Sequence, residues 1–187
     1  MPETDAYGPE RGSVGFTGPS GGRGCRAPDP GPRKLTYERD DHMRDAYHEE
    51  LGSIGDGLVE MARLVGSAIG RATMAILDSD LKLAESVIAA DQKVDDLQHE
   101  LEARSIALLA RQQPVATDLR VIVTTLKMSA DLERMGDLAR HVARAARRRF
   151  PDSAVPEGLR ATIVEMSKVA EQLVAKTGSV LATRDLD

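Results

Sequence analysis

Tryptophan is absent from this chain, and its 187 residues hold only two phenylalanines and three tyrosines. An interior without large flat side chains must be filled by Ala, Leu, Val and Met, which suits packed helices better than sheets. Cysteine occurs once, at Cys25, which excludes an intrachain disulfide and a cysteine-built zinc site. Nothing therefore calls for an oxidising compartment. No apolar run approaches the ~20 residues needed to span a bilayer, and the N-terminus lacks the apolar core of a signal peptide. The composition reads as that of a cytoplasmic protein. An excess of positive charge is lacking too: the net charge is -5. That disfavours a general nucleic-acid binder, because affinity for phosphate backbones comes from clustered cations.

What is present divides sharply near residue 43. Residues 1–42 hold eight of the sixteen glycines and six of the nine prolines. Such a stretch has little apolar surface to offset chain entropy and reads as a disordered leader, or as sequence upstream of a true start at Met43. Its glycines form no phosphate-cradling loop. From Met43 to about Leu77, Leu51, Ile54, Leu58, Met61, Val65, Ile69, Ala72 and Ile76 recur every three or four positions. That spacing predicts one long amphipathic helix. Gly52, Gly55, Gly57, Gly66 and Gly70 each cost it roughly 1 kcal/mol relative to alanine, so they are expected where helices approach closely. Asp78-Ser79-Asp80 supplies a turn and a cap.

A second helix is expected from about Leu81 to Arg111, ended by Gln112-Gln113-Pro114 because a residue before proline is pushed out of helical geometry. A third runs from about Asp118 to Arg149, with Thr117 as its cap. Three helices with short links make an antiparallel bundle over residues 43–150. Beyond Pro151 and Pro156, residues 156–187 carry one more amphipathic helix. Val59-Glu60-Met61-Ala62-Arg63 returns there 105 residues later as Val164-Glu165-Met166-Ser167-Lys168, and Asp80-Leu81 returns as Asp185-Leu186. This echo, in phase with the helices, implies an internal duplication in which only the first helix of the second repeat is present. The fold class is all-α: one three-helix bundle plus the first helix of an incomplete second one. That last helix has an apolar stripe without a bundle of its own, so it is expected to fold back, pair with another copy or aggregate.

The chemistry-bearing residues are acids in the wrong place. Glu133 falls seven residues after Leu126, and Asp137 follows four later, in phase with apolar positions rather than opposite them. Asp91 and Asp95 repeat that four-residue spacing inside the stripe of the second helix. If the two helices are neighbours, up to four carboxylates converge, and without a cation their repulsion raises their pKa values. Hard oxygen ligands favour magnesium, calcium, manganese or iron over softer ions, with zinc also within reach. The plain alternative, which spacing alone favours, is a solvated acidic face paired with Lys93, Arg134 or Arg140.

Other candidates are weaker. His48-Glu49-Glu50 lacks the second histidine of a zinc helix, since Gly52 stands in its place. A di-iron enzyme would carry Glu-x-x-His pairs on two helices, and these are missing. His141, eight residues after Glu133, is a possible adjunct of the acidic site. Met61, Met74, Met128 and Met135 read as core filling. Arg144, Arg147, Arg148 and Arg149 read first as complements to the negative end of their helix, and only second as an anion contact. No serine or cysteine has a His–Asp setting for nucleophilic catalysis.

With Gln112-Gln113-Pro114-Val115-Ala116-Thr117-Asp118-Leu119-Arg120, Asp131-Leu132-Glu133-Arg134-Met135-Gly136-Asp137, and Val87-Ile88-Ala89-Ala90-Asp91-Gln92-Lys93-Val94-Asp95 in this order, the chain resembles the PhoU family over residues 43–187. The resemblance implies two tandem three-helix bundles, a homodimer, and multinuclear metal sites on Asp91, Asp95, Glu133 and Asp137. It also implies a non-enzymatic role: restraint of the phosphate-starvation response through contact with a phosphate importer and a membrane sensor histidine kinase. Two other classes stay open from the residues themselves: a carboxylate-bridged metal enzyme, and a helical adaptor without metal.

Overall fold

The computed structural model describes residues 34–112, 114 and 116–183, and these are helical apart from short connections. Helix α1 spans Lys34–Asp78, α2 Leu81–Ala90, α3 Gln92–Gln112, α4 Thr117–Arg149 and α5 Arg160–Thr183, with a single 3-10 turn at Glu157–Leu159. No strand occurs among the described residues, as the composition and periodicity predict. Helix α1 starts nine residues ahead of Met43, so residues 34–42, grouped by composition with the leader, are part of it. The rest of that leader, residues 1–33, lies outside the described residues.

The stripe expected on α1 is the stripe that is buried. Ile54, Leu58, Met61 and Val65 pack with Val94, Leu101 and Leu108 of α3, with Ile122 and Leu132 of α4, and with Val174 of α5. A second cluster lies toward the other end of α1, where Ala72 and Ala75 meet Ala84 and Val87 of α2 and Ala139, Ala143 and Ala146 of α4. Alanines there leave little between the helix backbones, and close packing of small side chains replaces bulk as the source of dispersion energy. The turn between α1 and α2 follows the sequence reading, since Asp80 is the N-cap and accepts the Leu83 N–H at 3.0 Å. At α4 the cap differs. Ala116, at φ 49°, stands in the cap position with no side-chain hydrogen bond, and Thr117 is the first helical residue.

Helix α5 folds back along α1 in antiparallel register. A Cβ added at Gly66 would lie 3.6 Å from Val174, one at Gly70 3.2 Å from Glu171, and one at Gly178 3.5 Å from the Ala62 methyl. The start of α5 is tied down by Arg160, which donates to the Leu77 carbonyl. Helices α4 and α5 flank α1 without packing their backbones against each other. Met166, Val169 and Leu173 of α5 are exposed, together with Leu159 of the 3-10 turn and Leu138 of α4.

The helix expected as one piece from Leu81 to Arg111 is divided at Asp91. Its own dihedrals remain right-handed helical, and its N–H bonds Val87 O at 3.2 Å. Ahead of it the ladder tightens: the Val94 N–H reaches Asp91 O at 2.8 Å, a three-residue step, while Asp95 bonds the same carbonyl at 3.2 Å. Such a step, with short 3-10 character inside a helix, marks a joint. The joint carries the most buried carboxylate among the described residues.

Candidate metal centre

Each acid is positioned by the helix that carries it. Asp91, at the α2–α3 joint, follows Val87 and precedes Val94, both buried, so its side chain is forced to the interior and is only 6% exposed. Asp95 lies one turn further along α3, at the edge of that face. Across from them, Gly136 of α4 has no side chain. A Cβ there would sit 3.4 Å from Val94 and 3.6 Å from Asp91 Oδ1, in ordinary contact, so α4 packs directly on the joint. The next residue is Asp137. One carboxylate oxygen each from Asp91, Asp95 and Asp137 lie within 4.8 Å of one another. Oxygens bound to one ion at 2.0–2.4 Å can be separated by at most about 4.8 Å, so the three are spaced for a single hard cation.

Glu133 does not join that set of three. It stands a turn before Asp137 on α4, half-buried beside the group rather than in it. Its charge is nevertheless coupled to the others. Burial pushes its carboxyl above the usual range, and Asp137, Asp95 and Asp91 push it further, against a downward pull from Arg140. Asp91 is raised as well, first by burial, then by Asp95 and Asp137, while Arg140 draws it down.

Arg140 is the residue that sequence reasoning placed only among three candidate ion-pair partners. Its guanidinium reaches between the helices: Nη1 lies 2.6 Å from Asp91 Oδ2, and Nη2 donates to Asp137 Oδ1. Neither Lys93 nor Arg134 forms an ion pair among the described residues. The clamp is incomplete. Asp91 Oδ2 touches Nη1 without hydrogen-bond geometry, and both that oxygen and Arg140 Nε are buried with no hydrogen-bond partner. A buried charge satisfied by contact alone keeps much of its desolvation cost. The donor set is thus hard, converging and under-satisfied, which suits a divalent ion. Asp91, Asp95 and Asp137 would hold it, and Arg140 would have to withdraw. His141 is exposed and lines a shallow surface cavity of about 500 Å³ with Glu133, Arg134 and Asp137.

Comparison with known proteins places these motifs in context. A family profile described as PhoU domain matches residues 58–146. The chain is 46% identical over 143 residues to "Phosphate-specific transport system accessory protein PhoU homolog 2" of Mycobacterium tuberculosis, covering 76% of this chain and 67% of that protein. It is 44% identical over 143 residues to PhoU homolog 1 of Mycobacterium leprae, covering 76% of this chain and 64% of that one. A PhoU homolog of Rhizobium meliloti is 31% identical over the same length, with 60% of it covered. The chain thus spans between 60% and 67% of these relatives.

Proposed function

This chain belongs to the PhoU family, and from that premise we propose that it is an accessory protein of phosphate-specific transport that carries divalent metal between α4 and the α2–α3 joint. It acts by contact rather than by turnover. When phosphate is plentiful it restrains the phosphate-starvation response, as an adaptor between a phosphate importer and a sensor histidine kinase. What supports the metal in this reading is one observation: Asp91, Asp95 and Asp137 each bring a carboxylate oxygen within 4.8 Å of the others, and the buried Asp91 Oδ2 has an ion-pair contact with Arg140 but no hydrogen-bond partner. What supports the link to phosphate transport is the name its relatives share, phosphate-specific transport system accessory protein. Among the described residues no helix is long and apolar enough to cross a membrane.

A second reading has its own observation. Arg140 already neutralises part of the cluster from within the protein, as a metal-free adaptor would require. The two are separated by metal content and repression measured together. In cells lacking the protein, a phosphate-starvation reporter should be active at high phosphate and silenced by the wild-type chain. An Asp91→Ala/Asp137→Ala variant should lose both its bound metal, by elemental analysis, and the silencing. Silencing retained at unchanged, near-zero metal content would favour the metal-free adaptor.

A further inference from the structure

Arg144, Arg147 and Arg148 form no side-chain hydrogen bond and no ion pair with the described residues, although the chain as a whole is acidic. With His141 they line a concavity of about 440 Å³ on one side of α4. The partial charge of a helix end acts within its last turn. It accounts for Arg147, Arg148 and Arg149, and leaves Arg144 and His141, further back along the helix, without a role. No acid interrupts the chain from Leu138 to Pro151. Arg140, Arg144, Arg147 and Arg148 follow one another at four, three and one residues, so they share a face. Arg140 is the first member of this row, diverted sideways into the carboxylates.

We infer that the row of His141, Arg144, Arg147 and Arg148 is a binding site for a phosphoryl anion, and that Arg140 joins it when a divalent cation takes the place of its guanidinium among Asp91, Asp95 and Asp137. Planar guanidinium forks are suited to phosphoryl oxygens, and several converging on one group act as a clamp. The anion is either free inorganic phosphate or the phosphate of a lipid headgroup. The site itself does not depend on the metal reading, whereas the entry of Arg140 rests on it. The two ligands then help each other, since each affinity rises by the same factor when the other is bound.

The test uses the full chain. Equilibrium dialysis measures inorganic phosphate binding with and without manganese, and flotation measures binding to phosphatidylglycerol vesicles against phosphatidylcholine ones. Arg144→Gln/Arg148→Gln should weaken binding of the phosphoryl ligand roughly ten-fold or more, the effect of losing a charge-assisted hydrogen bond. Binding of phosphate assigns the site to the free anion, and binding of phosphatidylglycerol vesicles alone assigns it to a headgroup. Binding of neither, or binding unchanged in the double variant, overturns the site. Manganese should tighten the wild-type interaction and leave Arg140→Gln unaffected, while Arg140→Gln itself should bind manganese more tightly than wild type. If manganese still promotes phosphate binding in Arg140→Gln, phosphate sits on the metal and the role of Arg140 is overturned. If manganese binds neither wild type nor Arg140→Gln, the metal reading fails and that role with it, while the phosphoryl arm still decides the arginine site.

Discussion

Asp91 is the residue on which the local electrostatics are concentrated. Burial and two neighbouring aspartates hold its carboxyl above the usual range in spite of Arg140. A raised carboxyl binds its proton more tightly in the folded than in the unfolded chain. In the metal-free protein it therefore penalises folding where both states are ionised, and the penalty fades as pH falls through the raised value. Asp91→Asn removes that penalty. Metal-free Asp91→Asn should melt above wild type at neutral pH, with the gap closing as the pH is lowered just above and through the ordinary carboxylate range. Thermal melts across that range check it, and a gap that widens on acidification would refute it. A cation at the proposed site would need the ionised oxygens, so its affinity would run the other way and rise with pH. At this scale the sequence was partly legible. Acids in phase with apolar positions pointed to Asp91, Asp95 and Asp137, which converge. Glu133 has the same signature and stays beside the group, because a four-residue spacing gives the face of a helix and not the level of the neighbour. The choice of Arg140 over Lys93 and Arg134 depends on which side chain crosses to another helix, and spacing along one helix does not carry that.

Among the elements, α1 shows what periodicity can and cannot read. Its buried stripe follows directly from the recurrence of apolar residues, since a helix presents every third or fourth residue to the same neighbour. Its glycines look alike in sequence and differ in the fold. A Cβ at Gly57 would lie 2.5 Å from Leu101 Cδ2, in a fully buried side chain, while one at Gly55 would meet nothing within 4 Å. Gly55→Ala should therefore stabilise the protein by about 0.5–1 kcal/mol, the helical cost of glycine. Gly57→Ala should lose that gain to the displacement of Leu101 and come out less stable than Gly55→Ala. Denaturant midpoints at equal slope measure both. The division of the second helix at Asp91 was invisible in sequence for a related reason. Its backbone stays right-handed helical, no glycine or proline marks it, and the apolar stripe keeps its phase from Val87 to Val94 on either side of Asp91.

For the whole molecule, the internal echo pointed to a further helix after residue 156 with an unshared stripe, and α5 answers that in part. It buries Ser167 and Val174 and leaves Met166, Val169 and Leu173 in solvent. Exposed apolar side chains at this density are a contact surface. The chain should self-associate through it, and Met166→Lys/Leu173→Lys should shift the species toward monomer in size-exclusion chromatography with light scattering. A wild-type monomer at tens of micromolar would refute this.

The two sides of α1 deserve to be read together. Val65 lies 3.7 Å from where a Gly136 side chain would begin, beside Asp91, and its neighbour Gly66 faces Val174 of α5. One peptide unit thus separates the support of the carboxylates from the seat of the last helix. A protein that takes hold of α5 and tilts it has a lever one residue long on the spacing of the three carboxylates.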